Sequence, residues 1–137
     1  MLPEDVWAEL SKSKSSALVD CRTQMEWARI GTPDLSQIDA AMYLVEWRSA
    51  PDMSVNASFA EEMDAATGGA YPSKLYFICR SGVRSKEAAH HMQEVLSSKS
   101  IDCTCINVAE GFEGTQTPEI IAAGTSGWQN KNLPKTR

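Results

Sequence analysis

One cysteine near the middle of the chain stands where its neighbours would make it a nucleophile. The apolar run LYFI over residues 75–78 predicts a buried strand, and Cys79 follows it directly. Gly82 then permits a tight turn, and Ser85 opens a stretch with helical spacing. A helix N-terminus carries partial positive charge and unpaired N–H groups, which stabilise a thiolate placed before it. The pattern predicts an anion-binding loop built around a reactive thiol.

Two arginines in this loop, Arg80 and Arg84, would add full positive charge, and the alternative for either is that it points outward. A buried cysteine that only packs at a strand end is the alternative, since free cysteines are often buried. The order of strand, cysteine, glycine, arginines and helix start favours the nucleophile. We therefore take Cys79 as the candidate catalytic residue. The candidate substrate-binding residues are the rest of the loop: Arg80, Ser81, Gly82, Val83, Arg84 and Ser85.

The elements around this loop alternate between strands and helices. Short apolar runs predict strands over 17–20, 41–46, 75–78 and 103–108. Helical spacing predicts helices over 2–10, 56–67 and 85–98, and a short helix opening at Thr117. Thr23 and Glu26 form a capping box for a further helix, which Gly31 can end. This alternation predicts an α/β protein with a parallel sheet, in which ligands bind at the carboxyl ends of the strands.

Four segments resemble one known family. CRSGVRS over residues 79–85 resembles the active-site loop of rhodanese-domain sulfurtransferases. LVDCRTQMEW and GTPDL within residues 18–35 are similar to the first strand and following helix of that family. INVAEGFEG (106–114) resembles its last strand and glycine-rich turn, and SGWQNKNLP (126–134) its closing segment. All four occur in family order, and the set most resembles bacterial single-domain rhodaneses.

The resemblance implies one domain over residues 1–137, with a mostly parallel five-stranded sheet flanked by helices on both faces. It also implies a reaction: Cys79 would take the outer sulfur of a donor such as thiosulfate, and the resulting persulfide would pass it to cyanide or a thiol. The expected partners are a small anionic sulfur donor and a thiol or cyanide acceptor, and a protein sulfur acceptor is a further candidate. Asp20 and Arg22 match residues that support the active loop, and a simple surface ion pair is the alternative. No metal or organic cofactor is implied.

Two other classes compete with sulfur transfer. Phosphatases and arsenate reductases of similar fold place one more residue between cysteine and arginine than the four between Cys79 and Arg84. A shorter loop should fit a phosphate poorly, which disfavours that class. A non-catalytic or sulfur-carrying binding module is the other alternative, and the intact thiol-containing loop argues against it.

The other three cysteines are expected to pack rather than react. Cys21 alternates with Asp20 and Arg22, so it should point to the opposite face from both. Its alternative role is a resolving thiol that attacks a Cys79 persulfide. Cys103 and Cys105 share one face of a predicted strand, where a redox pair or sulfur relay is the alternative, and a disulfide between them would be strained.

The composition places the chain among ordinary globular proteins. It has 137 residues, 42% hydrophobic and 23% charged, and a net charge of -5. This acidic balance argues against a nucleic-acid partner, and no apolar run approaches the roughly 20 residues that a membrane-spanning helix needs. The N-terminal residues lack a signal-peptide pattern, and no Cys-x-x-Cys spacing occurs. We therefore expect a cytoplasmic protein without a metal site or a membrane partner.

Overall fold

The centre of the molecule is a parallel β-sheet. The computed structural model describes residues 1–137. The sheet strands are β1 (Ser16–Asp20), β2 (Ala41–Leu44), β5 (Lys74–Ile78) and β6 (Thr104–Asn107). They lie in the order β2-β1-β5-β6, and every neighbouring pair is parallel. Because β1 and β5 are the two inner strands, all their residues except the first of β5 are buried.

Helices cover both faces of this sheet. The helices are α1 (Pro3–Lys12), α2 (Gln24–Ile30), α3 (Phe59–Thr67), α4 (Val83–Ser98), α5 (Pro118–Ala123) and a 3-10 turn, Trp128–Asn130. On one face, Val6 and Leu10 of α1 pack with Trp128 against the sheet. On the other face, Met63 of α3 and Met92 of α4 belong to a second core. The predicted α/β fold with a helix-flanked parallel sheet is confirmed.

The number of strands differs from the expectation. The main sheet has four strands rather than five. Two further strands, β3 (Arg48–Ser49) and β4 (Ser54–Val55), pair only with each other, antiparallel. They form after the chain leaves β2, where Val45 and Trp47 donate backbone hydrogen bonds to the carbonyls of Asp20 and Cys21 at the end of β1. This hairpin therefore stands beside the carboxyl edge of the sheet and does not extend it.

Local signals define the helices that approach this edge. The Thr23–Glu26 capping box of α2 is present, with each residue's side chain bonded to the other's backbone N–H. Gly31 follows α2 and adopts a positive φ of 96°, which glycine tolerates readily. Helix α4 begins at Val83, two residues before the expected start, because Gly82 adopts φ 100° and turns the chain into the helix. No helix combines the length and apolar character that a membrane crossing needs.

Candidate active site

Cys79 lies at the carboxyl end of an inner strand, directly before a helix. Its side chain is buried, with only 1% of the residue exposed. The Gly82 backbone N–H donates to Cys79 Sγ at 3.2 Å, and the Ser85 hydroxyl lies at the same distance from the sulfur. Both donors belong to the turn that starts α4, so the helix N-terminus points at the sulfur. This arrangement stabilises negative charge on Sγ.

The Ser85 hydroxyl is itself held by a side chain of the next strand. Asn107, the last residue of β6, accepts from Ser85 Oγ through Oδ1 at 2.5 Å. Its Nδ2 donates to the Gly82 carbonyl at 3.2 Å, which fixes the orientation of the amide. A hydroxyl has one proton, so Ser85 donates either to Asn107 or to the sulfur of Cys79. The Ser85 proton is thus available to the sulfur when charge develops there.

The first two loop residues are fixed by the glycine-rich turn after β6. The Phe112 N–H donates to the Cys79 carbonyl at 2.8 Å, and the Glu113 N–H donates to the Arg80 carbonyl at 2.9 Å. Gly111 adopts φ 64° and passes so close that a Cβ there would lie 2.5 Å from the Cys79 carbonyl oxygen. The turn therefore sets the position from which the loop departs.

Arg84 is paired with an acid rather than free to meet a ligand. Its two terminal nitrogens donate to the two carboxylate oxygens of Glu26 at 2.8 and 2.9 Å. Burial alone would raise the pKa of Glu26, but the hydrogen bonds and charge of Arg84 outweigh it and hold that pKa below its ordinary value. Burial would likewise lower the pKa of Arg84, yet Glu26 keeps it raised. The pair is thus fully ionised near neutral pH, and the charge of Arg84 acts on the sulfur of Cys79.

Arg80 points toward the surface. Its Nε lies 3.3 Å from a carboxylate oxygen of Glu113, and about half of its side chain is exposed. Between Arg80 and Glu26 lies a cavity of about 310 Å³, which Met25 and Arg29 also line. On the other side of the loop, a groove of about 710 Å³ runs along Ser81–Val83 and the first turns of α4. Val83 lines it and is 67% exposed. Loop residues therefore line a cavity on each side of the loop.

Asp20 and Arg22 form a buried pair beneath the loop. Both side chains have no solvent exposure, and the closest atoms lie 2.7 Å apart. Arg22 also donates to the Gly31 carbonyl at 2.7 Å, and its guanidinium lies 4.4 Å from the centre of the Phe112 ring. Phe112 in turn holds the Cys79 carbonyl. The pair is not on the surface, and it contacts the residue that anchors the loop.

The remaining cysteines occupy two different places. Cys21 is fully buried in the same core as Cys79, on the α3 and α4 side of the sheet. Cys105 pairs with Leu75 at the opposite end of β5, and Cys103 precedes it. Both of these sulfurs are therefore remote from the candidate site. No group of three or more histidine, cysteine or acidic side chains is arranged to hold a metal ion.

Sequence reasoning missed several residues that complete the site. Glu26 was recognised only as a helix cap, whereas it also pairs with Arg84. Asn107 and Phe112 fall in a recognised motif, but no individual role was assigned to them. No local signal marks the pairing of Glu26 with Arg84, because it depends on which strands are neighbours in the sheet. Nothing local in the sequence marks Asn107.

These features define an α/β protein whose parallel sheet holds a buried thiol at its carboxyl edge. Comparisons with known proteins agree with this fold. The model of the rhodanese-like domain family matches residues 2–131. The chain therefore belongs to the rhodanese-like domain family.

Individual relatives extend the comparison. The chain is 33% identical to Rv0390 from M. tuberculosis, whose crystal structure matches with a TM-score of 0.79 over 99% of this chain and 95% of that one. A rhodanese-like domain protein from Staphylococcus aureus shares the fold at 18% identity, with a TM-score of 0.55 over 85% of this chain and 91% of that one. The uncharacterized protein RP600 of Rickettsia prowazekii is 28% identical over 122 residues, or 89% of this chain and 84% of that protein.

Proposed function

We propose that the protein is a sulfurtransferase that carries a sulfane sulfur on Cys79. The observation that carries this proposal is the pair of donors, from Gly82 and Ser85, aimed at one buried sulfur at a helix N-terminus. Such donors favour a thiolate, which attacks soft sulfur atoms readily. They would equally stabilise the terminal charge of a persulfide.

The reaction has two halves. In the first, the Cys79 thiolate attacks the outer sulfur of thiosulfate; a sulfur–sulfur bond forms, the bond to the sulfonate sulfur breaks, and sulfite leaves with the electron pair. In the second, cyanide or a thiolate attacks the outer sulfur of the persulfide and restores the Cys79 thiolate. Covalent catalysis of this kind gives ping-pong kinetics.

The loop residues divide the remaining work. Backbone N–H groups of residues 80–85 bind the donor anion, and Arg80 orients it from the exposed side. Arg84 contributes its charge after its ion pair with Glu26 loosens, because both terminal nitrogens otherwise donate to that carboxylate. Asp20 and Arg22 support the loop through Phe112 and take no part in the chemistry.

A mass measurement tests this proposal directly. The purified protein is treated with thiosulfate without reductant and desalted, and one portion then receives cyanide. Both portions are alkylated and digested, and the mass of the Cys79 peptide is measured in each. We expect this peptide to gain one sulfur and to lose it to cyanide. Cys79→Ser should abolish the gain, and Cys105→Ser is the matched control, since Cys105 lies at the far end of β5.

The alternatives predict other results. Sulfur on Cys103 or Cys105 would show that the site is wrongly assigned. Thiosulfate binding without a covalent product would favour a binding module. Hydrolysis of a phosphate ester that depends on Cys79 would favour phosphatase chemistry.

A further inference from the structure

Cys21 is the side chain that the proposed function leaves unused although it adjoins the nucleophile. The last registered pair of β1 and β5 is Asp20 with Ile78. The pairing continues one step further, because the Cys21 N–H donates to the Ile78 carbonyl at 3.0 Å. Cys21 and Cys79 are therefore lateral neighbours. Adjacent strands lie about 4.8 Å apart, within the range of roughly 4.4–6.8 Å between the Cα atoms of a disulfide.

The two sulfurs also lie on the same face of the sheet. Both cysteines belong to the core that contains Val19 and Phe77, two residues before each of them, and each is at most 1% exposed. The Cys21 thiol donates to the Ile78 carbonyl at 3.4 Å, so it lies beside the backbone that leads into Cys79. The positive charge of Arg84 acts on both sulfurs.

No other thiol of this chain can reach the candidate site. Cys105 pairs with Leu75, four residues before Cys79 along β5. At about 3.3 Å per residue this is on the order of 13 Å. Cys103 lies still further from the carboxyl edge. An internal reaction of a Cys79 persulfide can therefore involve only Cys21.

We propose that Cys21 is a resolving thiol that converts the Cys79 persulfide into a Cys21–Cys79 disulfide and releases hydrosulfide. This inference rests on the proposed function, because it needs the persulfide. The Cys21 thiol passes its proton to the charged outer sulfur of the persulfide, and the Cys21 sulfur attacks the inner sulfur. The bond between the two cysteine sulfurs forms, the bond to the outer sulfur breaks, and that sulfur leaves as hydrosulfide. A thiol reductant, such as a small dithiol, restores both cysteines.

The neighbouring groups set the pace of this step. Burial is the main cause that raises the pKa of the Cys21 thiol, and the adjacent Cys79 raises it further, so Cys21 is a weak nucleophile at rest. Arg84 opposes this effect and favours the Cys21 thiolate. An external acceptor that attacks the outer sulfur before Cys21 reacts takes the sulfur, and no disulfide forms. When acceptor is scarce, attack by Cys21 removes the sulfur from Cys79 and leaves the Cys21–Cys79 disulfide.

The test follows a single loading. Protein treated once with thiosulfate is desalted and left without acceptor, while released sulfide and non-reduced peptides are measured over time. We expect up to one hydrosulfide per loaded chain, a cross-linked peptide pair containing Cys21 and Cys79, and recovery of cyanide-dependent activity after dithiothreitol. Cys21→Ser should keep its persulfide and release at least tenfold less hydrosulfide, while Cys105→Ser behaves as the parent protein.

Each result is decisive. Cys21→Ala repeats the experiment without a buried hydroxyl if the serine variant folds poorly. A persulfide that persists in the parent protein with both cysteines unlinked overturns the resolving role and leaves the proposed function standing. Equal hydrosulfide release from the parent and the Cys21 variants overturns it as well. Absence of sulfur from Cys79 in both the parent protein and the Cys21 variants, with no hydrosulfide released, overturns the proposed function and this inference together.

Discussion

A methyl group added at Gly111 should move the active loop without touching any loop side chain. Gly111 has φ 64°, and a Cβ there would lie 2.5 Å from the Cys79 carbonyl oxygen and 2.6 Å from the Arg80 carbonyl carbon. Both neighbours are backbone atoms, so no flexible side chain can give way. Ordinary contact begins at 3.4 Å, so the Cys79–Arg80 peptide must shift by roughly 0.9 Å to admit Gly111→Ala.

The expected cost has two parts that a matched control separates. A left-handed backbone costs a residue with a Cβ about 1–2 kcal/mol, partly offset because alanine restricts the unfolded chain. Gly68 has almost the same φ, 67°, and no atom lies within 4 Å of its Cβ position. Gly68→Ala should therefore lose about 1 kcal/mol of unfolding free energy. Gly111→Ala should lose about 1–3 kcal/mol more, as overpacking typically does.

Chemistry at Cys79 should suffer more than stability. A misplacement near 1 Å can cost about 100-fold in rate, so we expect sulfur loading of Cys79 to slow by about 10- to 100-fold in Gly111→Ala. Urea unfolding gives the stability of both variants, and single-turnover loading from thiosulfate is measured where both are fully folded. Equal losses of stability in the two variants, together with unchanged loading, would refute this account of the turn.

Three further variants test other contacts of the site. Arg22→Met should lower the unfolding free energy in urea titrations by about 3–5 kcal/mol, because it leaves the buried Asp20 carboxylate without a partner. Adding Asp20→Asn should recover part of this loss of stability. Glu26→Gln keeps the capping box but loses the ion pair with Arg84. Since that pair lowers the pKa of Glu26 below its ordinary 4.5, its stabilisation, about 1–2 kcal/mol at pH 7, should vanish as the pH falls through the lowered value. A difference from the parent protein that stays constant down to pH 3 would contradict this. Ser85→Ala should slow iodoacetamide alkylation of the nucleophile about tenfold at neutral pH, and an unchanged rate would show that the hydroxyl does not assist the thiolate.

The elements that depend on local signals were predictable from the sequence. The capping box at Thr23 and Glu26 pairs backbone N–H groups within one helical turn. The residue types at these two positions are therefore enough to predict where α2 begins. The apolar runs that form β1 and β5 are buried on both faces, as their composition indicates. The two-residue strands at Arg48 and Ser54 carry no such pattern, since only their pairing with each other defines them.

The long-range contacts of the site were not predictable in the same way. The loop from Cys79 to Ser85 is contiguous, so its chemistry can be inferred from its order of residues. Whether Glu26, Asn107 or Cys21 lies beside it depends on strand order, which a single sequence does not state. Once β5 is known to lie between β1 and β6, all three can be placed: Cys21 directly follows β1, Asn107 ends β6, and Glu26 lies in the first turn of the helix after β1.

The charges of the site define how a donor anion would be selected. Arg80 and Arg84 each face an acid, Glu113 and Glu26 respectively, so neither guanidinium is an unopposed positive charge. The sulfur of Cys79 is instead faced by a backbone N–H and a hydroxyl, which are neutral. Under the proposed function, a dianionic donor meets the uncompensated positive charge of Arg84 only if it displaces the Glu26 carboxylate from that arginine. The Glu26–Arg84 pair then acts as an internal competitor, so replacing Glu26 with glutamine should tighten donor binding while it lowers stability.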